Sequence, residues 1–340
     1  MGVTSIPAYA QSNVQLTGYV YGGIASNSGG ATAHTAVGGP ASLMIKSKED
    51  LGGGNSILMK WESGFSTTTG ALENASSYWD KQAYLGVQGK WGTIRLGRLY
   101  TPSFATLALV ADPTETYGLF TSTNLMEVYN VRMNYGFIYN TPGFDPWTYG
   151  RKGFFGAFAH YMGDPSSGGG MSRNTTTGFN FGYGGGGLVV EFSGNFNNAY
   201  TSDTNNIDST GYILAANYKI GKAKIYLAYA DNRATNKFSH QKTKNNTDML
   251  IGFSYAIGKG SLSGSFIKKN DKMPANNDAY QIGIGYDYFF SKRTKLTLAF
   301  AKIHNKNPSL PYRIINGYAG TSSASNAGTQ TIALGLSHYF

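Results

Sequence analysis

From Asn13 onward the chain repeats one unit: about ten residues in which apolar and polar positions alternate, then a break rich in Gly, Asn, Ser or Pro. The segment from Gln330 to Phe340 shows it most cleanly. Ile332, Leu334, Leu336, His338 and Phe340 share one phase, while Thr331, Ala333, Gly335, Ser337 and Tyr339 share the other. Tyr280, Ile282, Ile284, Tyr286 and Tyr288 alternate in the same way with Gln281, Gly283, Gly285 and Asp287. A helix would repeat its apolar residues near every third or fourth position, and these segments do not. They predict strands with one oily and one wettable face.

Sixteen such segments begin near residues 13, 41, 55, 80, 92, 131, 150, 173, 187, 210, 223, 246, 260, 277, 293 and 330. Their connections alternate in length. Tight turns at Gly52-Gly53-Gly54, Gly89 to Gly92, Gly184 to Gly187, Ile220-Gly221, Ile257-Gly258 and Ser291-Lys292-Arg293 are separated by longer polar stretches. No stretch supplies the roughly 18 to 20 consecutive apolar residues of a membrane helix. A membrane crossing would therefore need strands closed into a ring, because unpaired backbone groups in lipid are too costly. The expectation is an all-β fold: a sixteen-stranded antiparallel transmembrane β-barrel, with short turns on one rim and long loops on the other.

Composition sharpens this picture. With 46 Gly, 25 Tyr and 19 Phe but only 14% charged residues, the chain is built for strands and turns. Cysteine is absent, which excludes disulfides and thiolate metal sites. Met1 to Ala10 ends in Ala-Tyr-Ala, which reads as the remnant of a secretory signal peptide, leaving residues 11–340 for the barrel. Tyr78, Trp79, Trp91, Trp147, Tyr149, Tyr286, Tyr288, Phe289, Tyr339 and Phe340 lie near predicted strand ends, where membrane barrels carry aromatic belts.

Five ordered blocks resemble the general porins of Gram-negative bacteria, in the form typical of β-proteobacteria and Neisseria. They are Lys48-Glu49-Asp50-Leu51-Gly52-Gly53-Gly54 with Glu62-Ser63-Gly64-Phe65; Lys81-Gln82-Ala83-Tyr84-Leu85-Gly86; Gly92 to Pro102; Tyr286 to Thr294; and Leu334 to Phe340. The resemblance implies a homotrimer in the outer membrane, in contact with its lipid and lipopolysaccharide. It also implies a third loop, here residues 101–130, that folds into the barrel and narrows it. That loop carries Ser103, Phe104, Leu107, Leu109, Val110, Phe120 and Leu125, which is more apolar than a solvated loop. Phe340, at the end of an alternating strand, resembles the signal by which such barrels are recognised for assembly.

Charge enters last. Lys and Arg number 28 against 18 Asp and Glu, a formal +10, and excess positive charge in a narrow low-dielectric tube raises the local anion concentration. The expectation is a water-filled channel for small anions and hydrophilic solutes. By resemblance, Arg98 and Arg132 line the constriction and Lys81 stands in for an arginine. Lys60, in the phase opposite Ile57, Met59 and Trp61, also points inward by alternation. On the loop, Asp112 and Glu115 are the candidate acids for a transverse field. Arg98 shares its phase with Ile94 and Leu96, so an inward Arg98 needs a bulge or a wall buried at a subunit contact. The resembled family has Ser-Arg-Trp-Gly where this chain has Ala41-Ser42-Leu43-Met44, so one basic position falls at Ser42.

Other functions find little support. The five histidines are isolated, without metal-ligand spacing or a nucleophile elbow, so neither an enzyme, a metal nor a cofactor is expected. Lys237, Lys242 and Lys244 cluster without stacking aromatics, so no nucleic-acid partner is expected. A substrate-selective channel, with loop aromatics as a stacking track, and a soluble secreted β-binding protein are the alternatives.

Overall fold

The computed structural model describes residues 13–28, 32–34, 41–147, 150–163, 170–202, 205–314 and 328–340. The expected signal remnant and Tyr149 lie outside them. Its strands are β1 (Asn13–Asn27), β2 (Thr32–His34), β3 (Ala41–Gly52), β4 (Asn55–Phe65), β5 (Gln82–Gly89) and β6 (Gly92–Tyr100). There follow β7 (Arg132–Asn140), β8 (Gly153–Tyr161), β9 (Thr176–Gly185), β10 (Leu188–Ser202), β11 (Asn205–Ile220) and β12 (Ala223–Asn236). The set ends with β13 (Lys242–Ile257), β14 (Gly260–Asp271), β15 (Ala279–Phe289), β16 (Thr294–Asn305) and β17 (Gln330–Tyr339).

From β3 to β17 each strand pairs antiparallel with the next, and β1 pairs with β3 on one side and β17 on the other, closing the ring. The three residues of β2 pair with Ile24 to Ser26, beyond the stretch of β1 that β3 covers, so they extend the line of β3 and add no strand to the circuit. The barrel therefore has sixteen staves. With every strand paired on both sides, no ladder edge meets lipid.

Alternation settles inside from outside. In β17, Thr331, Ala333 and Ser337 are buried, whereas Ile332, Leu334 and Leu336 are exposed on the outer wall. Six turns on one rim are tight. At the first, Gly52, Gly53 and Gly54 all take positive φ (78°, 61° and 82°), a run that residues with a Cβ resist. Two features depart from the expected regularity. The connection after β7 on the same rim is long, and its residues 141–147 fold inward, so Trp147 packs on Tyr100 and Phe104 inside the barrel, not in a belt. Strands β10 to β13 run 14 to 16 residues, longer than the roughly 9 to 11 that cross the apolar band, because their hairpins stay paired beyond it on the long-loop side.

Residues 101–131 form the loop between β6 and β7. Thr101 caps a short helix α1 (Pro102–Thr106) by accepting from Phe104 N, and a π-helical turn over Leu107–Ala111 continues it. The loop lies against the inner wall as a second layer. Leu107, Val110, Leu119, Phe120 and Leu125 are at most 2% exposed and pack with Ile213, Ala215, Ala228, Leu250 and Ile267 of the staves. Their fit depends on small wall residues: a Cβ added to Gly283 would lie 1.9 Å from Phe120 Cβ. Polar stitches complete the seam. Asn217 donates to Val110 O (2.9 Å), Asn124 to Gln281 Oε1 (2.7 Å) and Ser265 to Phe120 O (3.2 Å).

Candidate functional site

The wall opposite the seated loop is ionic. β3 and β4 place Lys46 directly across from Lys60 on the inner face, in phase with Ser42 and Glu62. Lys60 Nζ lies 2.7 Å from Glu62 Oε2, and Glu62 also accepts from Ser42 Oγ and Gln82 Nε2, both at 3.0 Å. Just before β5, Lys81 donates to the Tyr19 hydroxyl at 3.1 Å and lies 3.9 Å from Glu73. Arg132, opening β7, stands 3.8 Å from Glu73 and 3.9 Å from Asp80, with its guanidinium 5.1 Å from the Tyr100 ring centre. Lys60, Lys81 and Arg132 are thus brought together, interleaved with Glu62, Glu73 and Asp80.

Glu73 is the unusual member of this group. It sits in the loop between β4 and β5, its side chain 12% exposed, and its Oε2 is buried without a hydrogen-bond partner. Burial pushes its carboxyl up to about 7, although Lys81 and Arg132 pull the other way. Both cations stand 3.8–3.9 Å off, too far for charge-assisted hydrogen bonds, so desolvation wins.

From the loop side, Tyr117 reaches across the lumen to the first stave. Its hydroxyl is 3.3 Å from that of Tyr19, with ring centres 5.8 Å apart. The loop's acids differ in placement. Asp112 is 1% exposed and turned into its own loop: Oδ1 accepts from Thr114 N and Oγ1 (both 2.7 Å), and Oδ2 from Ser122 N (2.6 Å) and Thr121 Oγ1 (3.0 Å). Glu115, at the tip with φ 53°, is exposed.

Toward the tight-turn rim, Asn13, Gln15, Lys46, Lys48, Lys60 and Tyr84 line a cavity of about 400 Å³ with Asp145 of the inward connection. Asp145 forms an ion pair with Arg95, which also donates to Asn140 Oδ1 at 3.2 Å. Arg98 stands apart from all of this. A bulge against β7 does fall between Gly97 and Leu99, with Arg98 as its extra residue, but toward β5 the register is unbroken and Arg98 pairs with Ala83 on the outer face. Its guanidinium donates to Asp80 O and Asn134 Oδ1, both at 2.6 Å. Phe340 pairs back to β1 through two bonds with the Gly18 backbone, each 3.0 Å, extending the closure beyond β17.

Several residues of the site were not singled out by sequence: Lys46, Arg95, Glu62, Glu73, Asp80, Tyr19 and Tyr117. For Lys46 and Arg95 a signal existed, since each alternates with apolar neighbours (Ile45; Ile94 and Leu96) and so points inward. Glu73 and Tyr117 sit in loops, where alternation says nothing. No group of three or more His, Asp or Glu that could hold a metal occurs among the described residues.

Comparison with known proteins agrees with the architecture. The major outer membrane protein P.IB of Neisseria meningitidis serogroup B is 24% identical over 311 residues, covering 86% of this chain and 88% of that protein. Among solved structures, an anion-selective porin from Comamonas acidovorans superposes with a TM-score of 0.80 at 22% identity, covering 97% of this chain and 100% of the other. The trimer form of OmpT, an outer membrane protein of Vibrio cholerae, gives 0.71 at 14% identity, covering 97% and 99%. A family model described as Gram-negative porin matches residues 1–308, so a closed barrel, an inward loop and a charged inner wall meet in a chain that belongs to the Gram-negative porins, channels of the outer membrane.

Proposed function

We propose that this porin is a general diffusion channel for small hydrophilic solutes, that it prefers anions, and that it works as a homotrimer in contact with outer-membrane lipid and lipopolysaccharide. The observation that carries the anion preference is Lys46 placed directly opposite Lys60 on the lumen face. Like charges in register repel and cost stability. Lys60 is matched by Glu62, which leaves Lys46, without an ion-pair partner among the described residues, as a charge for passing anions to meet. Around the narrowing, Lys46, Lys60, Lys81 and Arg132 meet Glu62, Glu73 and Asp80, and Glu73 loses its charge as pH falls through about 7. Asp112 spends its carboxylate on the loop, which leaves Glu115 as the loop acid that faces solvent. A field across the eyelet would thus run from the basic wall to Glu115.

General diffusion is favoured over a selective aromatic track because Phe104 and Phe120 are turned into the wall, 5% and 2% exposed. The structural neighbours named anion-selective and trimeric support the same reading. Planar-bilayer recording in a salt gradient tests it. Reconstituted protein is expected to show an anion-favouring reversal potential, and Lys46→Gln/Lys60→Gln should move it toward zero. A cation-favouring potential in the unaltered protein would overturn the proposal.

A further inference from the structure

Outward positions on β13 to β17 are apolar or aromatic through most of their length, and none holds an acidic side chain among the described residues. Near the long-loop rim this changes. Lys268 of β14 pairs with Tyr280 of β15, which pairs with His304 of β16, and the Tyr280 and His304 rings stack at 5.0 Å. One row deeper, Phe266 and Ile282 lead to Lys302, which pairs with Gln330. On β15 the Tyr280 and Tyr288 rows are eight residues apart. At about 3.4 Å per residue and roughly 40° of tilt they are ~20 Å apart, so they form the two interfacial belts. Lys268 and Lys302 thus lie at the level of the outer-leaflet headgroups.

Two other outward cations of the staves are matched. Arg233 lies 2.8 Å from Asp231, and Arg98 is bonded to Asp80 O and Asn134. Lys268 and Lys302 are exposed and lack an ion-pair partner among the described residues. A lysine on the lipid face is costly at mid-depth and much less so at the interface, where an anionic headgroup meets it. Beside Lys268, an outer groove of about 520 Å³ is lined by Leu214, Leu227, Met249, Ile251 and Phe266. The pairing of two unmatched ammonium groups with an apolar trough describes an anionic head and an acyl chain.

We propose that Lys268 and Lys302, flanking the Tyr280–His304 stack, form a phosphate site for the lipid A part of lipopolysaccharide, with one acyl chain in the adjoining groove. The site rests on the outer-membrane channel proposed above, oriented as such barrels are, with the tight turns toward the periplasm and the long loops toward the cell exterior. The test uses the full chain refolded without lipopolysaccharide, with native mass spectrometry in detergent against diphosphorylated lipid A, its dephosphorylated form and phosphatidylglycerol. Lipid A should bind the unaltered protein at least about tenfold more tightly than either other lipid, the scale of a lost charge-assisted contact. Lys268→Gln/Lys302→Gln should lose that margin, and Lys268→Arg/Lys302→Arg should keep it. Unaltered single-channel conductance in the Gln variant would show an intact barrel. Equal binding of the dephosphorylated lipid or of phosphatidylglycerol, or full binding by the Gln variant, would overturn the site. Labelling of Lys237→Cys on intact cells separates the two readings: no labelling overturns the orientation, whereas labelling without lipid A binding overturns the site alone.

Discussion

From β8 to β15 the inner wall offers small residues and is covered by the loop, with the charges of Glu191, Asp248 and Lys269 buried in ion pairs, whereas from β3 to β7 a network of acids and bases lines it without the loop's apolar layer. On the covered side, Gly283, Ala215, Ala228 and Ser265 leave room for Leu107, Val110 and Phe120, and each large loop side chain gains on the order of 1.5–3 kcal/mol by burial. On the ionic side, Lys60 pairs with Glu62, Lys81 with Glu73, and Arg132 with Glu73 and Asp80, at 2.7–3.9 Å, and these groups leave the lumen polar. One barrel thus has a protein-like core along half of its lining and an ionic network along the other. Narrowness comes from the first half and charge from the second.

The largest effect should come from breaking the covered half. Gly283→Leu places a side chain where Phe120 now sits, and the added Cβ would meet Phe120 Cβ at 1.9 Å. The wall cannot yield because β15 is paired on both sides, so the loop has to lift. Overpacking of this kind costs about 1–3 kcal/mol, and here it is relieved by unseating the loop. Single-channel conductance is expected to rise severalfold, with the reversal potential moving toward zero as the charged wall loses its opposing surface. An unchanged conductance would show that Phe120 does not anchor the loop.

A smaller effect tests the ionic half through Glu73. Its carboxyl is raised to about 7, whereas an unfolded glutamate titrates near the usual ~4.3, so between these values the folded protein binds the extra proton. Its contribution to stability therefore grows as pH falls from about 7 and is lost as pH rises through it. The same proton removes a negative charge from the group around Lys81 and Arg132. Anion preference should increase between pH 8 and pH 6, and Glu73→Gln should abolish most of that dependence. A reversal potential flat with pH in the unaltered protein would mean that Glu73 is ionised throughout.

Legibility in the sequence follows the same division. Alternation located the staves to within a few residues, from Asn13 to Gln330, because the lipid face demands an apolar residue at every second position. The covered half was legible through the family resemblance, which implies an inward third loop, and the apolar Leu107, Val110 and Phe120 fit it. Where nothing periodic constrains the chain, less could be read. The inward connection after β7 breaks the short-turn rule, and its Asp145 meets Arg95 only through the fold. The partners of Arg132, Glu73 and Asp80, come from the loop between β4 and β5, more than fifty positions away in the chain.

The smallest expected effect is the most discriminating. β6 carries two arginines three positions apart, and family resemblance favours Arg98 while alternation favours Arg95. The register with β5 decides: Arg95 pairs with Gly86 on the inner face and Arg98 with Ala83 on the outer, while the bulge at Arg98 affects only the pairing with β7. A charge behind the wall is separated from the pore by the sheet and screened by its own partners, Asp80 O and Asn134. Arg98→Ala should therefore leave the reversal potential unchanged, while Arg132→Ala should move it toward cations, because it leaves Glu73 and Asp80 less compensated. If the two variants shift it equally, Arg98 acts in the lumen and the division between an ionic inside and a lipid-facing outside fails at this stave.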